Sequence, residues 1–241
     1  MAQRATAARP LARGAAVAVL GYPDRRFVDG HRRGVGDVQA AAGAREDLGA
    51  DWQKLSDLWR LKQLQYTWLR SLAGHHVEFW QVTGDALDFA LAQLKIERPG
   101  LRARLMDLYL RLGAYPEVPA MLAELKARGM KLAILSNGSP AMLAAVVGNA
   151  GLDGVFDAVL SVEDVGVFKP HPSVYGLAAK RLQLAPEHIC FLSSNGWDAY
   201  SAKAFGFRVL WCNRFGQALE RIPATPDGEI GDLGALPAWL A

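Results

Sequence analysis

Three short segments gather polar side chains where a chain alternating strand and helix brings its reactive groups together. In Ser136-Asn137-Gly138-Ser139-Pro140 an apolar run ends in a hydroxyl, an amide and a glycine just before a helix-length stretch. Those groups, with the free backbone N–H groups of a helix start, are suited to receiving an anion. Ser139-Pro140 also reads as an N-cap with proline at N1, which accounts for that pair but leaves Ser136 and Asn137 unexplained. The second segment is Phe168-Lys169-Pro170-His171-Pro172. Pro170 biases Lys169 toward extended backbone and no helix begins before Pro172, so the lysine is a fixed positive charge. On the plainer reading it is a solvated side chain of a proline-rich turn. The third segment, Ser193-Ser194-Asn195-Gly196-Trp197-Asp198, again reads strand, loop, helix. The macrodipole favours Asp198 in a first helical turn whatever its task, yet four polar side chains around one glycine exceed what capping requires.

The elements that must position these segments follow from periodicity. Val118 to Arg128 is amphipathic and stops at Gly129. Lys131 to Ser136, Phe156 to Ser161, His188 to Ser193 and Phe207 to Asn213 read as strands, with helix-length segments between them. That alternation predicts an α/β fold, a parallel sheet covered on both faces, with the working groups beyond the carboxyl ends of the strands. Trp52 to Leu112 is helical throughout. Leu55, Leu58, Trp59, Lys62, Tyr66 and Leu69 recur at three and four, as do Phe79, Val82, Ala86, Phe89 and Ala90, with breaks at Gly74 and Arg98-Pro99-Gly100. If Ala15 to Leu20 is a further strand, this helical unit is an insertion after it. The expected division is 1–46, an atypical segment holding the first strand; 47–114, a helical unit; and 115–241, the sheet core.

Composition narrows the function classes. The 241 residues are 51% hydrophobic and 21% charged, enough for a sizeable core. The net charge of +3 comes from scattered lysines and arginines, which favours a small anionic ligand over nucleic acid. No apolar run approaches the ~18 residues that would span a bilayer, so no membrane partner is expected. Arg4, Arg9 and Arg13 before Ala15 to Leu20 faintly suggest a secretion signal, but the apolar part is short and no small-residue cleavage pattern follows. Cys190 and Cys212 sit in apolar runs, which suits free thiols in a reducing cytoplasm.

The stretch from Trp59-Arg60-Leu61-Lys62-Gln63-Leu64 to Leu72, with Ala133-Ile134-Leu135-Ser136-Asn137-Gly138-Ser139-Pro140, Lys169-Pro170 and Ser193 to Asp198, resembles the (S)-2-haloacid dehalogenases of the haloacid dehalogenase superfamily. The likeness runs in order from about Asp47 to the C-terminus. It implies a Rossmann-like core, a helical cap inserted after the first strand, and a homodimer. It also implies hydrolysis of a small halogenated carboxylic acid, an (S)-2-haloacid, to the (R)-2-hydroxyacid and halide. An aspartate displaces the halide from C2 and water hydrolyses the resulting ester at the aspartyl carbon. By the same resemblance Arg60 meets the halide, Ser136 and Asn137 bind the carboxylate, and Lys169 neutralises the two carboxylates with Tyr175 and Ser193 in its network. Asn195 and Asp198 position and activate the water, Asp198 as general base, while Leu64, Trp197 and Trp80 wall the pocket. No cofactor is expected. A carboxylate nucleophile and a carboxylate substrate repel each other, and Arg60 with Lys169 supplies the compensating charge. The superfamily's Mg²⁺-dependent phosphatases need a carboxylate pair near the fourth motif, where Ser194 and Asn195 are neutral.

The chain departs from the family pattern at the nucleophile. No strand here ends in an aspartate followed by an aromatic-glycine-threonine turn. Counting back from Trp59 by the family's spacing reaches Asp29; counting from the end of Ala15 to Leu20 reaches Tyr22 and Asp24. Before Asp47 the chain is rich in Ala, Arg and Gly and has no lysine, as in a disordered arm or a GC-rich gene read in a shifted frame through residues 21–46. Two classes stay open: an active dehalogenase, or a folded homologue with a damaged nucleophile motif.

Overall fold

The computed structural model describes residues 17–20, 48–111 and 113–240. Its strands are β1 (Val17–Leu20), β2 (Lys131–Ser136), β3 (Ala158–Ser161), β4 (Cys190–Ser193), β5 (Arg208–Cys212) and β6 (Gly228–Ile230). They form one parallel sheet in the order β3-β2-β1-β4-β5-β6. β1 is central, between β2 and β4, with Leu20 opposite both Ile134 and Leu192. The polar ends at Ser136 and Ser193 therefore flank the line along which β1 runs.

Continuous apolar strands follow from burial on both faces. Residues alternate between two cores, as a period of two requires. Ala133, Leu135, Phe191, Val209 and Trp211 face one; Leu132, Cys190, Leu192 and Leu210 face the other. The helices after the strands are α4 (Val118–Ala127), α5 (Pro140–Asn149), α6 (Pro172–Leu182), α7 (Gly196–Phe205) and the short α8 (Leu236–Trp239). α4 ends in Arg128-Gly129, with Gly129 at φ +77° and Met130 N–H donating to Leu125 O, the glycine cap that the sequence indicates.

Three strands are shorter than periodicity suggests. Residues 186–188 form a 3₁₀ turn ahead of β4. Two aspartates fasten strand starts from outside: Asp157 accepts Leu132 N–H at 2.7 Å and Asp227 accepts Val209 N–H at 2.7 Å, with Lys126 and Lys203 on the respective carboxylates. β6 carries little apolar signal in its three residues and was not expected.

The helical unit comprises α1 (Trp52–Ala73), α2 (Phe79–Leu94) and α3 (Leu101–Leu110). α1 stops at Gly74, φ +69°, where His75 N–H donates to Arg70 O. Leu69 belongs to the apolar repeat yet is 60% exposed. The buried stripe of α1 instead runs Trp52, Leu55, Ser56, Trp59, Gln63, Thr67, in which the Gln63 and Thr67 side chains find partners inside the unit. None of the described helices is long and apolar enough to cross a membrane.

Candidate active site

A buried ion pair forms the base of the site. Lys169, on the loop after β3, and Asp198, in the first turn of α7 after β4, are 3% and 2% exposed, with Nζ donating to Asp198 Oδ2 at 3.0 Å. Tyr175, from the first turns of α6, donates its O–H to Asp198 Oδ1 at 2.8 Å. Burial pushes the Lys169 ammonium below its ordinary value, with the Asp198 carboxylate acting the other way. Burial, then the Asp198 charge, pushes the Tyr175 phenol well above its ordinary value, so it remains a donor. The Phe191 ring lies 4.7 Å from Nζ, a cation–π contact that adds to the enclosure.

The loops that hold this pair are folded by their own side chains. Ser136 Oγ accepts Gly138 N–H at 3.0 Å and Ser193 Oγ accepts Asn195 N–H at 3.2 Å, the same turn at the ends of β2 and β4. Asn137 Oδ1 accepts the backbone N–H of Lys169 at 3.0 Å, so what its carboxamide has left for a ligand is the NH₂ donor. Ser139 is the N-cap residue of α5 with Pro140 at N1, but its hydroxyl makes no cap bond. Asn195 likewise precedes α7 without capping it, because its Oδ1 accepts from Arg60 at 2.8 Å.

Arg60 reaches the core from α1 and is aimed from behind. Its other terminal nitrogen donates to Gln63 Oε1 at 3.0 Å, Gln63 Nε2 donates to Thr83 Oγ1 at 2.8 Å, and Thr83 donates to Phe79 O at 2.8 Å. Trp59 Nε1 joins the seam by donating to Thr83 O at 2.9 Å. Buried polar side chains on an otherwise apolar stripe were the available signal for Gln63 and Thr83, which sequence reasoning passed over.

The resulting pocket is lined by Arg60, Leu64, Phe79, Asn137, Lys169, Asn195, Trp197 and Asp198. Seven of these lie on segments singled out in the sequence; Phe79 is the addition. It takes the place expected of Trp80, because adjacent helical residues point about 100° apart and Phe79 is the inward one. Ser136, Ser193 and Tyr175 do not line the pocket. They stand behind it, the serines shaping loops and the tyrosine holding Asp198. Trp197 packs edge-on against Trp68 of α1, ring centroids 5.7 Å apart, closing the wall between cap and core. Among the described residues the lining carries two cations and one carboxylate, a net positive charge matched to one anionic group. Asp24 and Asp29 lie outside the described residues.

Residues 4–206 match the family of haloacid dehalogenase-like hydrolases. The chain belongs to that family. Among curated relatives of this hydrolase is the (S)-2-haloacid dehalogenase of Pseudomonas sp. (strain YL), 50% identical over 202 residues, covering 83% of this chain and 87% of that one. Another is haloacetate dehalogenase H-2 of Moraxella sp. (strain B), 43% identical over 188 residues, 78% and 84% of the two chains. The structure of L-2-haloacid dehalogenase from Xanthobacter autotrophicus with chloropropionic acid covalently bound superposes with a TM-score of 0.80 at 35% identity, covering 93% of this chain and 97% of that one. Cap and Rossmann-like core are thus those of a haloacid dehalogenase-like hydrolase.

Proposed function

We propose that this chain hydrolyses (S)-2-haloacids to (R)-2-hydroxyacids and halide through an aspartyl ester. The observation that carries the reading is the pocket itself: Arg60 and Lys169 face one apolar-walled cleft, with Asp198 held by Lys169 and Tyr175. The covalently bound chloropropionic acid in the Xanthobacter relative supports an ester intermediate. A carboxylate oxygen forms a bond to C2 as the carbon–halogen bond breaks and the halide leaves with the electron pair. Arg60 stabilises the departing anion, with Trp197 and Leu64 excluding water. The NH₂ of Asn137 and the Lys169 charge hold the substrate carboxylate, and Ser136 and Ser193 act indirectly by fixing their loops. Water then adds to the ester carbonyl carbon, its proton passing to Asp198, whose oxygens keep lone pairs beyond those engaged by Lys169 and Tyr175. The aspartyl carbon–oxygen bond then breaks, the hydroxyacid oxygen leaves with the proton returned from Asp198, and the protein carboxyl is regenerated. Asn195 helps to place that water.

Mg²⁺ does not fit these residues. A hard cation needs carboxylate oxygens, and among the described lining residues the one carboxylate is already neutralised by an ammonium and bonded by a phenol. We infer a metal-independent enzyme, which a chelator leaves fully active; phosphate-ester hydrolysis abolished by the chelator would favour a phosphatase. We also infer a homodimer and a reducing cytoplasmic setting, the latter supported by the buried free thiols Cys190 and Cys212.

The test is a single turnover of (S)-2-chloropropionate in ¹⁸O-water with excess enzyme. The reading requires chloride release, no turnover of the (R) enantiomer, and label in a protein carboxylate ahead of the product. Mapping the labelled peptide then decides between Asp24 and Asp29. A folded chain that releases no chloride is the inert homologue.

A further inference from the structure

α1 lies along the cleft with one face inward. Ser71 is eleven residues beyond Arg60, about three turns and about 16 Å along the axis, so the two share that face. Arg60 reaches the loop after β4. Ser71 reaches the opposite loop, after β3: its Oγ accepts the backbone N–H of Phe168 at 3.0 Å, while its own O–H donates to Thr67 O at 2.8 Å. Just past the end of the helix, His76 docks on the same loop. Its Nε2 donates to Glu163 Oε2 at 2.9 Å, and its ring lies on Phe168 with centroids 4.6 Å apart. Phe168 is 1% exposed and directly precedes Lys169, whose own N–H is held by Asn137. Two consecutive backbone N–H groups are thus fixed from opposite sides, one by the cap and one by the core.

We propose that Ser71 and His76 are positioning residues for the dehalogenation, acting through Phe168 to set the Lys169 ammonium against Asp198. The inference rests on the reading that Lys169 supplies the neutralising charge. Its stem is enclosed, with Phe191 against the ammonium, so the position of the charge follows the position of the Lys169 backbone. Catalysis by a fixed charge is sensitive to ångström-scale misplacement. The cap therefore contributes to the site twice, by placing Arg60 directly and by holding the loop that places Lys169.

Amide hydrogen exchange and steady-state kinetics on full-length Ser71→Ala, Ser71→Thr and His76→Phe test this. Ser71→Ala removes the acceptor and is expected to speed exchange at both Phe168 and Lys169 and to lower kcat about tenfold with KM within about twofold. Ser71→Thr keeps the hydroxyl and restores both. His76→Phe keeps a ring against Phe168 but loses the bond to Glu163, and lowers kcat about threefold. As it lies outside α1, it separates positioning from any effect on the helix. Ser71→Ala that speeds exchange at Phe168 alone, with the Lys169 amide and kcat at parental values, overturns the proposal. A loss divided equally between kcat and KM and not restored by threonine does so too. A parent chain that releases no halide refutes the proposed function instead, and the exchange experiment still decides whether Ser71 holds the Lys169 backbone.

Discussion

Lys169 and Asp198 show how one buried pair ties stability to chemistry. Removing one member leaves the other charge buried and uncompensated, so Lys169→Met should cost about 3–5 kcal/mol in denaturant unfolding. Replacing both, as Lys169→Met with Asp198→Leu, should recover most of that stability and no activity. If the double variant is as unstable as the single, the pair is not the source of the cost. The pH dependence has a defined sign. Burial lowers the Lys169 value from 10.5, so the ammonium is lost at a lower pH than in an exposed lysine. The alkaline limb of kcat should fall below pH 10.5, and Lys169→Arg, if active, should move it upward. An alkaline limb unmoved by that substitution would assign it to another group.

At the scale of elements, two devices make predictions. The polar seam between α1 and α2 aims Arg60, since Gln63 bridges it to Thr83. Thr83→Val should destabilise by about 1–3 kcal/mol because it strands the buried Gln63 amide donor. It should also lower kcat/KM by loosening Arg60. Gln63→Leu combined with Thr83→Val should regain stability but not kcat/KM, which separates aim from packing. The second device is Asp157, just before β3, which fastens the start of β2. The Leu132 N–H it accepts holds its carboxyl below the usual aspartate value of 3.8, with Lys126 assisting. A lowered carboxylate contributes stability that is present above pH 3.8 and lost as pH falls through the lower folded value. The gap in urea midpoint between the parent and Asp157→Asn should accordingly be constant near neutrality and close in acid.

For the whole molecule, the outer side of α1 exposes Leu61, Leu69 and Leu72, at 50%, 60% and 86%. This apolar row on a cap helix supports the inferred homodimer, as large apolar side chains grouped on one exposed face mark association surfaces. Leu69→Lys with Leu72→Lys should yield a monomer by sedimentation equilibrium with the fold intact by circular dichroism. If parent and variant sediment alike, this face is not the interface. Residues 21–46 bear on the activity of the whole chain. Sequencing the DNA across those codons decides between a shifted frame and a divergent nucleophile segment, and a restored frame should restore an aspartate-containing turn and full turnover.

The sequence by itself determined the order of strands and helices through β5, the cap as an insertion, and the segments that line the described pocket. Those features are local: an apolar run closed by Ser136-Asn137-Gly138, a lysine pinned between Phe168 and Pro170, a polar loop opening the helix at Gly196. Tertiary structure decided what each polar atom does, because burial and partners from distant segments are not written in spacing. Ser136 reads as a carboxylate-binding hydroxyl and Ser193 as part of the Lys169 network, and each also accepts a backbone N–H two residues on and so shapes its loop. Asn195 stands in a capping position but turns to Arg60, 135 residues away, since an ionised donor is the stronger partner. Phe79 displaced Trp80 through the rotational phase of a helix start. Ser71 has ordinary sequence surroundings and acquires its role only when α1 is laid across the ends of the strands.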